Sequence, residues 1–132
     1  MRTILVADDN RLSRELVRDV LETSDCRVFE ARDGVEVLAL LEDVNPDLLL
    51  LDLEMPELDG FAVLRAIRRN SRFALLPVAA FTARAMHQER DRIREAGFDA
   101  CITKPVTSAA LRRRVDELLN LAAKERRNER PR

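Results

Sequence analysis

Tryptophan and tyrosine do not occur in this 132-residue chain, histidine occurs once and cysteine twice. Each shortage removes a class of function. With phenylalanine as the only aromatic, no basic segment is interleaved with stacking rings, which argues against binding of single-stranded nucleic acid. Two cysteines do not make a disulfide framework in a chain of this size. The one histidine, His87, has neither a second histidine nor a cysteine close by, so it points to no zinc site, and its place early in a charged helix marks a surface residue. No apolar run approaches the length needed to cross a bilayer. Met1-Arg2-Thr3 leads directly into the first apolar run and leaves no room for a signal peptide, so the expected compartment is the cytoplasm. Repeats, low-complexity stretches and linkers are missing too, and one domain with a real core is expected.

What the chain does contain is charge. Charged residues make up 36%, yet the net is only −1. From Lys124 onward there are five basic and two acidic residues, a net of +3, which leaves −4 on Met1 to Ala123. The reading adopted for residues 122–132 is the solvated, charged end of a helix or a tail, following a domain over residues 1–121.

The apolar residues are gathered in short runs that end abruptly. Ile4-Leu5-Val6-Ala7 stops at Asp8-Asp9, Leu48-Leu49-Leu50-Leu51 at Asp52, Val78-Ala79-Ala80-Phe81 at Thr82, and the weaker Ala100-Cys101-Ile102-Thr103 at Lys104-Pro105. Such runs, separated by helical stretches, are the signature of a buried parallel sheet. The first helix is expected over residues 10–23, with Leu12, Leu16, Val17, Val20 and Leu21 on one face. Arg27 to Ala31 mixes polar and apolar residues as an edge strand does. Asp33 and Glu36 are spaced as a capping box for a helix whose inner stripe is Val35, Leu38 and Leu41, and which stops before Asn45-Pro46. Phe61, Leu64 and Ile67 trace a third helix. A fourth, from Arg84 to Ala96, has little to bury between Met86 and Ile93 and ends at Gly97. Leu111, Val115, Leu118 and Leu119 mark the last. Five strand–helix units with right-handed crossovers give an α/β fold with helices on both faces of a parallel sheet.

In such sheets ligands bind outside the carboxyl ends of the strands. Four segments would therefore bring Asp8, Asp9, Asp52, the Thr82 hydroxyl and the Lys104 ammonium to one crevice. Singly, each has a duller reading: Asp9 or Asn10 caps the following helix, Thr82 caps the helix after it, and Lys104 is a surface lysine. Together the carboxylates repel one another unless a cation or a proton relieves them. Mg²⁺ suits the set, because it takes oxygen ligands and keeps positions for water and phosphate.

These residues resemble the response-regulator receiver domain of two-component signalling. The likeness is carried by Asp8-Asp9-Asn10, by Asp52-Leu53-Glu54-Met55-Pro56-Glu57-Leu58-Asp59-Gly60, by Thr82-Ala83 and by Lys104-Pro105, over Thr3 to about Leu121. It implies a flavodoxin-like five-stranded sheet in the order 2-1-3-4-5, with Asp52 as the acceptor of a phosphoryl group from a phosphohistidine. It further implies Mg²⁺ held directly by Asp9, by Asp8 through water or as the neighbour of Asp9, and by Asp52 and the carbonyl of Glu54. Lys104, Thr82 and the N–H of Ala83 would then bind the phosphoryl oxygens. Such a chain is a switch rather than a conventional enzyme. Its expected partners are a histidine kinase or histidine phosphotransfer protein and a downstream protein, with no direct DNA or membrane binding and a homodimer through the fourth and fifth helices left open. A receiver belonging to a hybrid histidine kinase would look alike.

At three places the chain departs from or tunes the pattern. Cys101 stands three residues before Lys104, where receivers usually carry an aromatic ring, so the coupling to the output face is expected to run through the fourth helix and its preceding loop. Glu54 and Arg84 each lie two residues past a site residue and would tune hydrolysis of the acyl phosphate as a charge pair across the mouth. Cys26 and Cys101 fall on opposite edge strands in the implied order, roughly 19 Å apart, too far for a disulfide. Two rivals are a haloacid-dehalogenase-type phosphatase, for which Glu54 poorly replaces the second acid, and a pseudo-receiver that binds partners without phosphate.

Overall fold

Alternation of buried strands with helices is what the chain adopts. In a computed structural model describing residues 1–83 and 86–128, the elements are β1 (Arg2–Ala7), α1 (Arg11–Leu21), β2 (Cys26–Ala31), α2 (Gly34–Val44), β3 (Leu48–Leu51), α3 (Gly60–Arg69), β4 (Val78–Thr82), α4 (His87–Ala96), β5 (Ala100–Thr103) and α5 (Ser108–Asn128). A short 3₁₀ turn, Ser71–Phe73, follows α3. The five strands are parallel, in the order β2-β1-β3-β4-β5, as the resemblance implied. The four leucines of β3 are wholly buried at the centre of the sheet.

Side chains alternate across the strands, so each strand feeds two cores. Leu5, Ala7, Leu49, Leu51 and Ala80 pack with Val37 and Leu41 of α2, Val63, Leu64 and Ile67 of α3, and Ile93 of α4. Ile4, Val6, Leu48, Leu50, Ala79 and Phe81 pack with Val17, Val20 and Leu21 of α1 and with Leu111, Val115 and Leu118 of α5. Among the described residues no helix is long and apolar enough to cross a membrane.

Two helices are rotated from the expected orientation. In α1, Leu12 is 74% exposed and Leu16 46%, while Arg14 joins Val17 and Leu21 on the inward side. Arg14 is drawn inward by polar partners on the sheet, and the two leucines turn out in consequence. In α2, Val35 is 58% exposed and Leu38 36%, whereas Val37 and Leu41 are buried. The cause is Gly34: a Cβ there would stand 2.5 Å from Cγ2 of Val63 and 2.9 Å from the carbonyl oxygen of Leu58. This side of α2 is pressed against α3, and the helix rotation follows from that contact.

Capping also differs in detail. Asn10 caps α1 through the Ser13 N–H, and Asp33 caps α2 through the Glu36 N–H at 2.8 Å. Glu36 reaches back to the N–H of Arg32 rather than to that of Asp33. Thr82 does not cap α4; the N-cap is Met86, which offers no side-chain hydrogen bond. The α4 helix begins at His87, and the expected start at Arg84 lies outside the described residues, as does the end of the tail beyond residue 128. Asn45 (φ 47°) and Gly97 (φ 104°) terminate α2 and α4 in the left-handed conformation. Both cysteines are free thiols on the outer strands β2 and β5.

Candidate functional site

Four strand ends meet on one edge of the sheet, and hydrogen bonds that continue the ladders set their positions. The Asp8 N–H donates to the Ala31 carbonyl (3.1 Å), the Asp52 N–H to the Ala7 carbonyl (2.9 Å), and the Lys104 N–H to the Thr82 carbonyl (2.9 Å). Asp8, Asp52 and Lys104 are thus each the first residue beyond a strand, with the backbone fixed by the neighbouring strand, while Asp9 is the second beyond β1 and Thr82 the last within β4.

Asp8, Asp52 and Thr82 are buried, while Asp9 opens to solvent. One ligand oxygen from each of Asp8, Asp9 and Asp52 can be chosen so that all three lie within 4.8 Å of one another. The Asp8 Oδ1 accepts from the Asn10 N–H (2.9 Å) and the Asp52 Oδ1 from the Glu54 N–H (3.1 Å), turns that aim the other oxygens inward. The Lys104 Nζ donates to Asp8 Oδ2 at 2.5 Å and lies 3.5 Å from Asp52 Oδ2. Beneath it the Phe81 ring centroid is 4.9 Å away, so the ammonium is held between carboxylates and an aromatic face.

Electrostatics single out Asp52. Burial raises its pKa from 3.8 to about 6, with the Asp8 charge adding to the rise and the Glu54 N–H and Lys104 opposing it. A carboxylate with so raised an affinity for a proton also has a strong call for another cation. The donor set is hard oxygen, one member is solvent-accessible, and the three oxygens lie within 4.8 Å of one another, close enough to share one ion. The residues therefore fit a small divalent cation.

Beside this cluster is a cleft of about 160 Å³ lined by Leu53, Glu54, Asp59, Phe61, Thr82, Glu89 and Arg92. It lies between β3, β4 and α4 and adjoins Thr82, and Ala83 follows at the surface. Cys101 is not part of this site. It lies three residues before Lys104 on β5, half-buried, in a separate groove with Ile93, Phe98 and Arg114. Burial pushes its thiol pKa up, and that of Cys26 likewise. Arg84, and with it the proposed pairing with Glu54, lies outside the described residues.

Reasoning from sequence overlooked Arg14, Glu30 and Arg92. Arg14 is buried, and its Nη1 donates to the carbonyl of Asp8 at 2.7 Å. A signal existed: Arg14, Val17 and Leu21 share the i, i+3, i+7 spacing of an inward stripe. Arg92 lies with its guanidinium carbon 4.5 Å from the Phe61 ring centroid, and that ring meets Phe98 edge-on at 5.7 Å.

Comparison with known proteins matches this arrangement. Residues 4–116 match the family model of the response regulator receiver domain. The polar-differentiation response regulator DivK of Brucella ovis is 35% identical over 106 residues, which is 80% of this chain and 86% of DivK. A CheY-like response regulator receiver domain protein from Methanospirillum hungatei superposes with a TM-score of 0.86 at 26% identity, over 95% of this chain and 98% of that one. The signal receiver domain of a signal transduction histidine kinase from Syntrophus aciditrophicus gives 0.82 at 30% identity, over 91% of each chain. With a 2-1-3-4-5 parallel sheet, an acidic cluster at its carboxyl edge and a family match across most of its length, the chain belongs to the response-regulator receiver domain family of two-component signalling.

Proposed function

We propose that this protein is a phosphorylation-dependent switch in which Asp52 accepts a phosphoryl group from the phosphohistidine of a histidine kinase or histidine phosphotransfer protein. The observation that carries the reading is the meeting of Asp8, Asp9, Asp52, Thr82 and Lys104 at adjacent strand ends, with Lys104 in contact with Asp8. An Asp52 oxygen attacks phosphorus, the P–N bond to the donor imidazole breaks, and the imidazole nitrogen keeps the electron pair and takes a proton from solvent.

Asp8, Asp9, Asp52 and the carbonyl of Glu54 would hold Mg²⁺. When bound, the ion supplies charge neutralisation and alignment for the phosphoryl oxygens, which is most of what phosphoryl transfer asks of a protein. Lys104 leaves Asp8 to pair with a phosphoryl oxygen as a point charge. The Thr82 hydroxyl and the Ala83 N–H turn to the same group and transmit its presence to α4. Glu54 and Arg84 tune access of water to the acyl phosphate, whose hydrolysis resets the switch, and Cys101 makes the transmission depend on α4 rather than on a ring.

We take residues 1–121 as the receiver and 122–132 as its charged helical extension or tail. Output passes by protein contacts, with the α4 to α5 face open to a target or a second copy, in the cytoplasm. A second reading, the receiver of a hybrid kinase, is favoured by the likeness to the histidine-kinase receiver of Syntrophus aciditrophicus.

Incubation with acetyl phosphate followed by intact-mass spectrometry, with and without Mg²⁺, tests the switch. The expected result is a Mg²⁺-dependent phosphoryl adduct that is lost in Asp52→Ala. Absence of the adduct in folded, Mg²⁺-binding protein, with decay shown not to hide it, would leave the pseudo-receiver.

A further inference from the structure

Every polar atom of Asp8 is engaged, and by a different part of the chain in each case. Its N–H is held by Ala31 on β2, its side-chain oxygens by the Asn10 N–H and Lys104, and its carbonyl by Arg14 of α1. The Arg14 side chain is only 10% exposed, and its Nε donates to Oε1 of Glu30 on β2 at 3.1 Å. The second Glu30 oxygen pairs with Nη2 of Arg18 at 3.1 Å, and that nitrogen also donates to the Val28 carbonyl. Two arginines of α1 and one glutamate of β2 thus form a brace behind the acidic cluster.

The brace does more than attach a helix. Stability alone does not call for a guanidinium here, because replacing a buried ion pair as a whole, in this case Arg14 together with Glu30, by apolar side chains is often neutral or stabilising. What the guanidinium adds is direction. The carbonyl of Asp8 and the N–H of Asp9 share one planar peptide unit. Holding that carbonyl toward α1 fixes the plane and so fixes where the chain continues into Asp9, the solvent-open member of the cluster. Mg²⁺ demands short bonds and near-ideal octahedral angles, whereas Ca²⁺ accepts longer bonds and irregular shells.

We propose that Arg14, steadied by Glu30, is a positioning residue that orients the Asp8–Asp9 peptide and so makes the cluster selective for a small divalent cation, Mg²⁺, over Ca²⁺. This rests on the reading of Asp8, Asp9 and Asp52 as a cation site. The effect has a sign of its own. Removing a positive charge near the cluster by electrostatics alone would tighten both ions, so weaker Mg²⁺ binding has to come from geometry.

Calorimetric titration of the full chain with Mg²⁺ and, separately, with Ca²⁺ tests it, in the wild type, Arg14→Met, Arg14→Lys and Glu30→Gln. Arg14→Met is expected to bind Mg²⁺ roughly tenfold more weakly, the scale of losses from residues behind a metal's own ligands, with a much smaller change for Ca²⁺. Arg14→Lys, which keeps the charge and reaches one partner, should recover part of the loss. Glu30→Gln, which leaves Arg14 in place but loosens it, should lower the Mg²⁺ to Ca²⁺ affinity ratio in the same direction, and it carries the test if Arg14→Met does not fold. An unchanged ratio in both variants, or parallel tightening or weakening of both ions, overturns the role assigned to Arg14. A wild type that binds no Mg²⁺ overturns the cation site itself.

Discussion

Lys104 pairs more closely with Asp8 than with Asp52: its Nζ lies 2.5 Å from Asp8 Oδ2 and 3.5 Å from Asp52 Oδ2. The lysine therefore competes for the same oxygens as a cation would, and it has to change partner if it is to meet a phosphoryl group on Asp52. Lys104→Met removes the competitor. Mg²⁺ affinity is expected to rise several-fold, in keeping with a unit charge a few ångströms away at the edge of a protein, while the phosphoryl adduct from acetyl phosphate decays or fails to accumulate. Mg²⁺ titration beside intact-mass spectra checks both halves, and a weaker Mg²⁺ site would mean that Lys104 organises the acids instead of competing with the ion.

The raised pKa of Asp52 carries a cost in stability with a defined direction. Its folded-state value of about 6 lies above the ordinary 3.8, so between those pH values the folded chain binds more protons than the unfolded one. Stability from this group is then full below 3.8 and declines as pH rises through 6. Asp52→Asn, which cannot ionise, should be more stable than the wild type in EDTA at pH 7.5 by about 1–3 kcal/mol. The gap should close as the pH is lowered toward 4, and Mg²⁺ should narrow it at neutral pH. Urea melts across that range read the difference, and a pH-independent gap would contradict the assignment.

Gly60 sits against the backbone that presents Asp52. A Cβ there would stand 2.6 Å from the Asp52 carbonyl oxygen and 2.9 Å from the Leu53 Cα, neighbours that cannot rotate out of the way. Gly60→Ala is expected to cost about 1–3 kcal/mol through overpacking and to weaken Mg²⁺ binding by moving Asp52. Gly97→Ala is the counterpart. With φ at 104° and its nearest neighbour 3.9 Å away, it should lose about 1–2 kcal/mol to left-handed strain and leave the ion untouched. Equal effects on Mg²⁺ in the two variants would remove the special place of Gly60.

The helix α4 is attached lightly. Ile93 is its one fully buried side chain among the described residues, Phe98 follows just past its end, and Arg92 rests on the Phe61 ring. Segments with so few apolar contacts open at low free energy. Backbone amides of His87 to Ala96 should exchange faster than those of α3, and a phosphate mimic bound at Asp52 should change their protection. If protection from 87 to 96 is the same with and without the mimic, α4 does not carry the signal.

Apolar runs, periodicity and stop residues together located the five strands and five α-helices among the described residues, because strands buried on both faces and helices ended by Gly97 or Asn45 leave local marks. The same periodicity misjudged which way α1 and α2 face. Both helices carry apolar residues on more than one side, and the choice is made by distant partners: Glu30 and the Asp8 carbonyl for Arg14, and Val63 for Gly34. The residues gathered at the strand ends were legible for the opposite reason. Asp8, Asp52, Thr82 and Lys104 each interrupt or follow an apolar run, and the sheet order alone brings them together. Arg14 escaped notice because a charged residue on a helix is usually solvated, and its burial depends on an ion pair to a strand 16 residues further along.

The sheet divides the side chains into two cores that have no buried residue in common, and the polar cluster belongs to the strand tips above both. Under the proposed output through the α4 to α5 face, changes at Arg90, Arg94 and Arg114, around the groove of about 360 Å³ beside Cys101, would alter that face while the acids and Lys104 stay on their own strand ends. A duplicated gene of this design can therefore acquire a new correspondent by surface substitution alone, inheriting its chemistry intact.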